Sequence, residues 1–146
     1  MSDNVRPSWD EWALLLAHAV ALRADCVRRR VGAVLMDERH RIVATGYNGA
    51  PSGQPGCLTA GACPRGQASY AEVPSYLDGN HDFSNCIAVH AEVNALTQPG
   101  WRRPGSVLTL YVTDEPCRDC SAFISEHPQV VRIVTPTSIT NIGVPS

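Results

Sequence analysis

The chain has 146 residues, 44% of them hydrophobic and 18% charged, with a formal net charge of -2 and a pI near 6.2. That length suits one α/β domain, residues 1–146, large enough to bury a core. The mildly acidic balance argues against a protein built to grip a long nucleic acid, which leaves a basic footprint, and favours a small polar substrate.

No apolar run approaches the roughly 20 residues of a membrane span. The opening Met1-Ser2-Asp3-Asn4 also lacks the charged-then-apolar pattern of a secretory signal. No membrane role and a cytoplasmic location are therefore expected. In a reducing compartment the six cysteines are expected as thiols or metal ligands rather than paired disulfides.

In chain order, Trp9, Trp12, Ala13, Leu16, Ala19 and Val20 recur at helical spacing behind a Ser8 cap. They predict an amphipathic helix over 9–24 that packs on a sheet. Val31–Met36, a polar turn at Asp37–His40, and Arg41–Tyr47 predict an antiparallel hairpin. Residues 48–85, rich in Gly, Pro, Ser and Cys, form a stretch too long for an idle connection, so a functional or metal-braced loop is expected.

Ile87–Leu96 predicts a helix stopped by Gln98-Pro99-Gly100, with His90 in its first turn. Val107–Val112 predicts a third strand. Pro116 is then placed to open a helix that carries Cys117 and Cys120 on one face. Val130–Val134 predicts a fourth strand, parallel to the third because a helix separates them. Thr135–Ser146 is read as a short tail. The fold expected is a mixed sheet flanked by helices, with a metal between two helix N-termini.

The chemistry is concentrated in His90-Ala91-Glu92 and Pro116-Cys117-Arg118-Asp119-Cys120. One imidazole and two thiolates are the three protein ligands of a catalytic zinc, which leaves its fourth position to water. Zinc lowers the pKa of that water from about 15.7 towards about 7, and Glu92 is left over to carry protons. This H-x-E with P-C-x-x-C is the known pattern of zinc-dependent nucleobase deaminases. Taken alone, Cys-x-x-Cys would fit a structural zinc half-site or a redox dithiol. A structural site, however, has no use for a carboxylate two residues from its histidine. A zinc-stabilised binding module likewise leaves Glu92 without a role.

The chain resembles the cytidine/deoxycytidylate deaminase superfamily, and within it the deoxycytidylate (dCMP) deaminases. The resemblance rests on Val31-Gly32-Ala33-Val34, on Thr45-Gly46-Tyr47-Asn48-Gly49-Ala50-Pro51-Ser52-Gly53 and on His90-Ala91-Glu92-Val93-Asn94-Ala95, beside the two cysteines. It implies the three-layer αβα cytidine-deaminase-like fold, with an antiparallel first hairpin and parallel later strands. It also implies zinc on His90, Cys117 and Cys120. Glu92 would move a proton from water to N3 of cytosine and then to the leaving ammonia. Ala91 N–H would meet the pyrimidine O2, and Asn48 would contact the sugar hydroxyl and base edge. The other reading of Asn48 is a turn residue in Asn-Gly, and Asn94 reads equally as a substrate residue or a helix-surface amide.

The resemblance further implies dCMP as substrate and a homo-oligomer. The alternatives are another modified or free pyrimidine nucleoside or nucleotide and, further off, a purine such as guanine or tRNA adenosine. A second, structural zinc is implied on Cys26, Cys57 and His81, with Cys63 and Cys86 able to complete it, and buried free thiols are the alternative. Arg28, Arg29, Arg30, Arg65, Arg102 and Arg103 are the candidates for a 5′-phosphate, each equally readable as a surface charge.

Overall fold

The computed structural model describes residues 5–24, 29–49, 90–98 and 105–142. Within them run α1 (Trp9–Ala21), β1 (Gly32–Met36), β2 (Ile42–Tyr47), α2 (Ala91–Leu96), β3 (Leu108–Val112), α3 (Arg118–Ser125), β4 (Val130–Val134) and β5 (Ile139–Asn141). The strands make one sheet in the order β2-β1-β3-β4-β5. β1 is antiparallel to β2 and to β3, β3 and β4 are parallel, and β5 is an antiparallel edge. The hairpin and the parallel pair joined through a helix are as the sequence predicts.

The layers follow from the two-residue period of the strands. β1 is buried along its whole length. It turns Val34 and Met36 towards α1, where they join Ala13, Ala17, Tyr111 and Val134. Ala33 and Leu35 point the other way and pack with Ala91, Ala95, Leu110 and Ile124 on the α2 and α3 side. A helix layer on each face of one sheet is the three-layer αβα arrangement.

α1 starts where Ser8 Oγ accepts the Glu11 N–H at 3.1 Å, with Asp10 and Glu11 in its first turn to suit the helix dipole. It ends at Ala21, short of the expected residue 24. Its buried row is Ala13, Ala17 and Ala21, whereas Trp9 is 54% and Trp12 36% exposed. The cause is a close crossing. A Cβ on Gly32 would stand 2.0 Å from the Ala17 carbonyl oxygen and 2.6 Å from the Ala21 nitrogen. At that separation the central row of the helix has room only for alanine. Trp9 instead stacks on His40 in the hairpin turn, ring centroids 4.3 Å apart, and Trp12 meets Trp9 edge-on at 5.7 Å.

One element was not expected. β5 pairs with β4 through Arg132↔Asn141, Ile133↔Thr140 and Val134↔Ile139, within what the sequence reads as a plain tail. Its three residues are exposed, so no alternation of burial marked it. An available edge on β4 makes it a strand. Among the described residues no helix is long and apolar enough to cross a membrane.

Candidate active site

Two helix starts meet at the carboxyl end of β3. His90 is the N-cap of α2, with extended backbone at φ -66 and ψ 153, rather than a first-turn residue. Cys117 is the N-cap of α3, and its Sγ accepts the Cys120 N–H at 3.4 Å. Pro116 therefore lies just outside α3 instead of opening it, and Cys117 and Cys120 are cap and first turn rather than two helical positions. A thiolate sulfur in a cap position sits where the partial positive charge of the helix favours it.

These caps bring the three expected donors together. The His90 Nδ1, Cys117 Sγ and Cys120 Sγ atoms lie within 4.8 Å of one another. Nδ1 is 2.9 Å from the Cys120 sulfur and 3.6 Å from that of Cys117. Glu92 stands beside them and is only 3% exposed, although it carries a carboxyl group. Ala91, between His90 and Glu92, is fully buried.

Burial pushes the His90 ring below its usual pKa, with the Arg29 charge adding to this and Glu92 and Asp119 opposing it. A neutral imidazole is the form that binds a metal. Burial first, then the charges of Glu92 and Cys117, pushes the Cys120 thiol up. Two sulfurs and a carboxyl group crowded into a buried space favour anions only when a cation joins them. Three N/S donors at one point, with a carboxylate beside them and no fourth protein ligand among the described residues, suit zinc with an open position.

The seat of α2 is set by β2. A Cβ on Gly46 would lie 2.4 Å from the Ala91 carbonyl oxygen and 2.4 Å from the Ala95 nitrogen, so the helix rests directly on the strand backbone. Asn94 Nδ2 donates to the Tyr47 carbonyl at 2.7 Å, and Gln98 donates to that of Thr45. Asn48, 8% exposed, accepts the Val31 N–H on Oδ1 at 2.7 Å and donates from Nδ2 to the Arg29 carbonyl at 2.7 Å. The Asn carboxamides of the motif thus brace the strand ends around the site.

Arg29 is the expected phosphate candidate that the structure brings to the site: its charge is felt at His90, and its Nε lies 3.5 Å from Asp114 Oδ2. Arg30 is an exposed side chain. Arg28, Arg65, Arg102 and Arg103 lie outside the described residues, as do Cys26, Cys57, Cys63, His81 and Cys86 of the expected second zinc.

The sequence reading passed over Glu115. Its Oε1 accepts the hydroxyls of Thr135, Ser138 and Thr137 at 2.6, 2.6 and 2.9 Å. The available signal was a Glu directly ahead of Pro-Cys-x-x-Cys, with three hydroxyl residues in Thr135-Pro136-Thr137-Ser138.

A family model described as the cytidine and deoxycytidylate deaminase zinc-binding region matches residues 7–136. The chain belongs to the cytidine and deoxycytidylate deaminase family. Within that family it is 46% identical over 131 residues to a deoxycytidylate deaminase of Mycobacterium phage D29, covering 90% of this chain and 96% of the phage protein. It is 38% identical over 124 residues to the deoxycytidylate deaminase of Schizosaccharomyces pombe, covering 85% of this chain and 36% of the yeast protein. Among solved structures, the dCMP deaminase of cyanophage S-TIM5 in complex with dCMP and dUMP superposes with a TM-score of 0.60 at 25% identity, covering 90% of this chain and 83% of that one. The fold expected of a deaminase of this family is the fold observed.

Proposed function

We propose that this deaminase hydrolyses dCMP to dUMP and ammonia, water entering at C4 of the cytosine and the amino group leaving. The observation that carries the reading is the convergence of His90, Cys117 and Cys120 beside the buried Glu92. The likeness to the phage D29 deoxycytidylate deaminase, over nearly its whole length, supports dCMP ahead of a free pyrimidine nucleoside or a purine.

His90 Nδ1 and the two sulfurs would hold zinc, which when bound supplies a water acidic enough to react near neutral pH. Glu92 takes one proton from the attacking water and places it on N3 to make the ring electrophilic. Once C4 carries the hydroxyl, Glu92 takes that hydroxyl's proton and hands it to the departing amine, while N3 keeps its own. Its burial keeps that proton from bulk water. Such acid–base help is worth about 10² to 10⁴ in rate. Ala91 is the first residue of α2, where backbone N–H groups lack intrahelical partners, and its N–H serves the pyrimidine O2. Asn48, just past the end of β2, and Asn94, on α2, fix the walls of the pocket, with Asn48 on the sugar side. Arg29 meets the 5′-phosphate. The residues function as one domain, as a cytoplasmic homo-oligomer working on a small nucleotide.

The test is ammonia release from dCMP, CMP, deoxycytidine, cytidine and guanine, with wild type and Glu92→Ala side by side and zinc content measured on both. Turnover of dCMP that disappears in Glu92→Ala while zinc is retained is the expected result. Turnover confined to another member of the panel would reassign the substrate. Activity surviving in Glu92→Ala would sink the mechanism.

A further inference from the structure

The segment that delivers Cys117 is tied to a part of the chain that takes no direct part in the reaction. Glu115 follows β3, and Thr135 follows β4, so both lie at the carboxyl ends of the parallel pair. There a single carboxylate oxygen, Glu115 Oε1, receives three hydroxyl donors: Thr135 Oγ1 at 2.6 Å, Thr137 Oγ1 at 2.9 Å and Ser138 Oγ at 2.6 Å. The turn is shaped before Glu115 reaches it. Thr135 Oγ1 accepts the Thr137 and Ser138 N–H groups at 3.2 and 3.0 Å, and the Thr135 N–H donates to the Ser138 carbonyl at 2.9 Å. Thr135 is 4% exposed, so the far end of the tie is anchored in the interior. Three hydroxyl donors converging on one carboxylate oxygen make the tie a cluster of charge-assisted bonds.

Only Pro116 separates Glu115 from Cys117. The proline ring fixes its own φ and restricts the residue before it, so the link is stiff. Cys117 in turn caps α3 through its own sulfur, 3.4 Å from the Cys120 N–H. The path runs from the β4–β5 turn through Glu115 and Pro116 to the Cys117 sulfur and the start of α3.

We propose that Glu115 is a positioning residue for the metal cluster, fixing the Cys117 sulfur by clamping its segment to the hydroxyl-lined β4–β5 turn. The short C-terminal segment thereby acts as the brace of the site. The proposal rests on the reading of His90, Cys117 and Cys120 as zinc ligands. A partner outside the ligand set that orients a ligand is worth about 10- to 100-fold in metal affinity.

The experiment measures zinc release from loaded protein to excess chromogenic chelator for wild type, Glu115→Ala, Glu115→Gln and Ser138→Ala, with the urea midpoint of each metal-free protein alongside. Expected is faster release by about 10- to 100-fold in Glu115→Ala. Glu115→Gln keeps an acceptor oxygen and recovers most of the hold, and Ser138→Ala moves the same way by less. Combining Glu115→Ala with Ser138→Ala is expected to add less than the two separate effects, as for one shared interaction. Unchanged release in Glu115→Ala and Ser138→Ala, from a wild type that does hold zinc, would overturn the proposal alone. Release from Glu115→Gln as fast as from Glu115→Ala would overturn it equally. A wild type that binds no zinc would instead bring down the ligand reading, and the proposal with it. If Glu115→Ala does not fold, Ser138→Ala and Glu115→Gln decide.

Discussion

Gly46 and Ala91 touch backbone to backbone. A Cβ at Gly46 would stand 2.4 Å from the Ala91 carbonyl oxygen, with the Ala95 nitrogen equally close. Ala91 lies between His90 and Glu92, so the strand that carries Gly-Tyr-Asn-Gly sets the height of both.

Gly46→Ala is therefore expected to lift α2 off β2. Neither contact is with the end of a flexible side chain, so the backbone itself must move, at a cost of about 3 kcal/mol. A lower urea midpoint together with reduced zinc content checks this. A variant with wild-type stability would show that the contact is looser than the geometry states.

Asn48→Ala removes two 2.7 Å bonds and leaves the Val31 N–H buried without its side-chain acceptor. A loss of about 1–3 kcal/mol is expected. Asn48→Asp keeps the acceptor for Val31 and loses the donor to Arg29, so it should fall between. Chemical denaturation of the three proteins gives the order.

Arg29 is braced twice, through its carbonyl by Asn48 and through its guanidinium by Asp114. If it meets the substrate phosphate, Arg29→Ala should raise KM for dCMP about 10-fold, the equivalent of one charge-assisted hydrogen bond of about 1.5 kcal/mol. The rate with deoxycytidine, which has no phosphate, should barely change. Equal damage to both substrates would remove Arg29 from that role.

Asp10 joins α1 to the sheet. It accepts from Tyr111 Oη and Arg132 Nη1, each at 2.9 Å, and also from Arg132 Nη2. The Arg132 hydrogen bonds, and after them that of Tyr111, hold its carboxyl below the usual 3.8, against the opposing effect of burial. A depressed carboxyl contributes stability that is full above its unfolded value and is lost as pH falls through the folded one. Burial, then Asp10, pushes the Tyr111 phenol up to about 12 from 10.0. That contribution is full below pH 10 and lost as pH rises towards 12. Asp10→Asn should cost about 1–2 kcal/mol at pH 7, at the lower end because both partners of the ion pair are partly exposed, and progressively less as pH falls below 3.8. Thermal unfolding of both proteins across pH 3–8 measures the difference.

The convergence of His90, Cys117 and Cys120 beside Glu92 was legible because these residues fall in two short runs, His90–Glu92 and Cys117–Cys120, and each has a narrow chemistry. The sequence also placed β1 to β4, with β1 antiparallel to β2 across a short turn and β4 parallel to β3 across a helix, while the antiparallel pairing of β1 with β3 went unread. It misassigned the buried row of α1, because hydrophobicity ranks tryptophan above alanine. Only contact with Gly32 shows that alanine alone fits there. It placed Pro116 inside a helix that in fact begins at Arg118, since proline suits either side of that boundary. β5 went unread because three exposed residues carry no periodic signal.

By itself, then, the sequence pointed to the candidate reactive groups and to the β1–β2 hairpin and the parallel β3–β4 pair, because donor type and short-range spacing are properties of the chain; the strand order came from the tertiary structure. The tertiary structure decided how those groups are held. Gly46 under α2, Asn48 across residues 29–31, and Glu115 on a turn some 20 residues away all depend on which backbones come into contact. Such contacts are set by the packing of whole layers and leave no local pattern in the sequence.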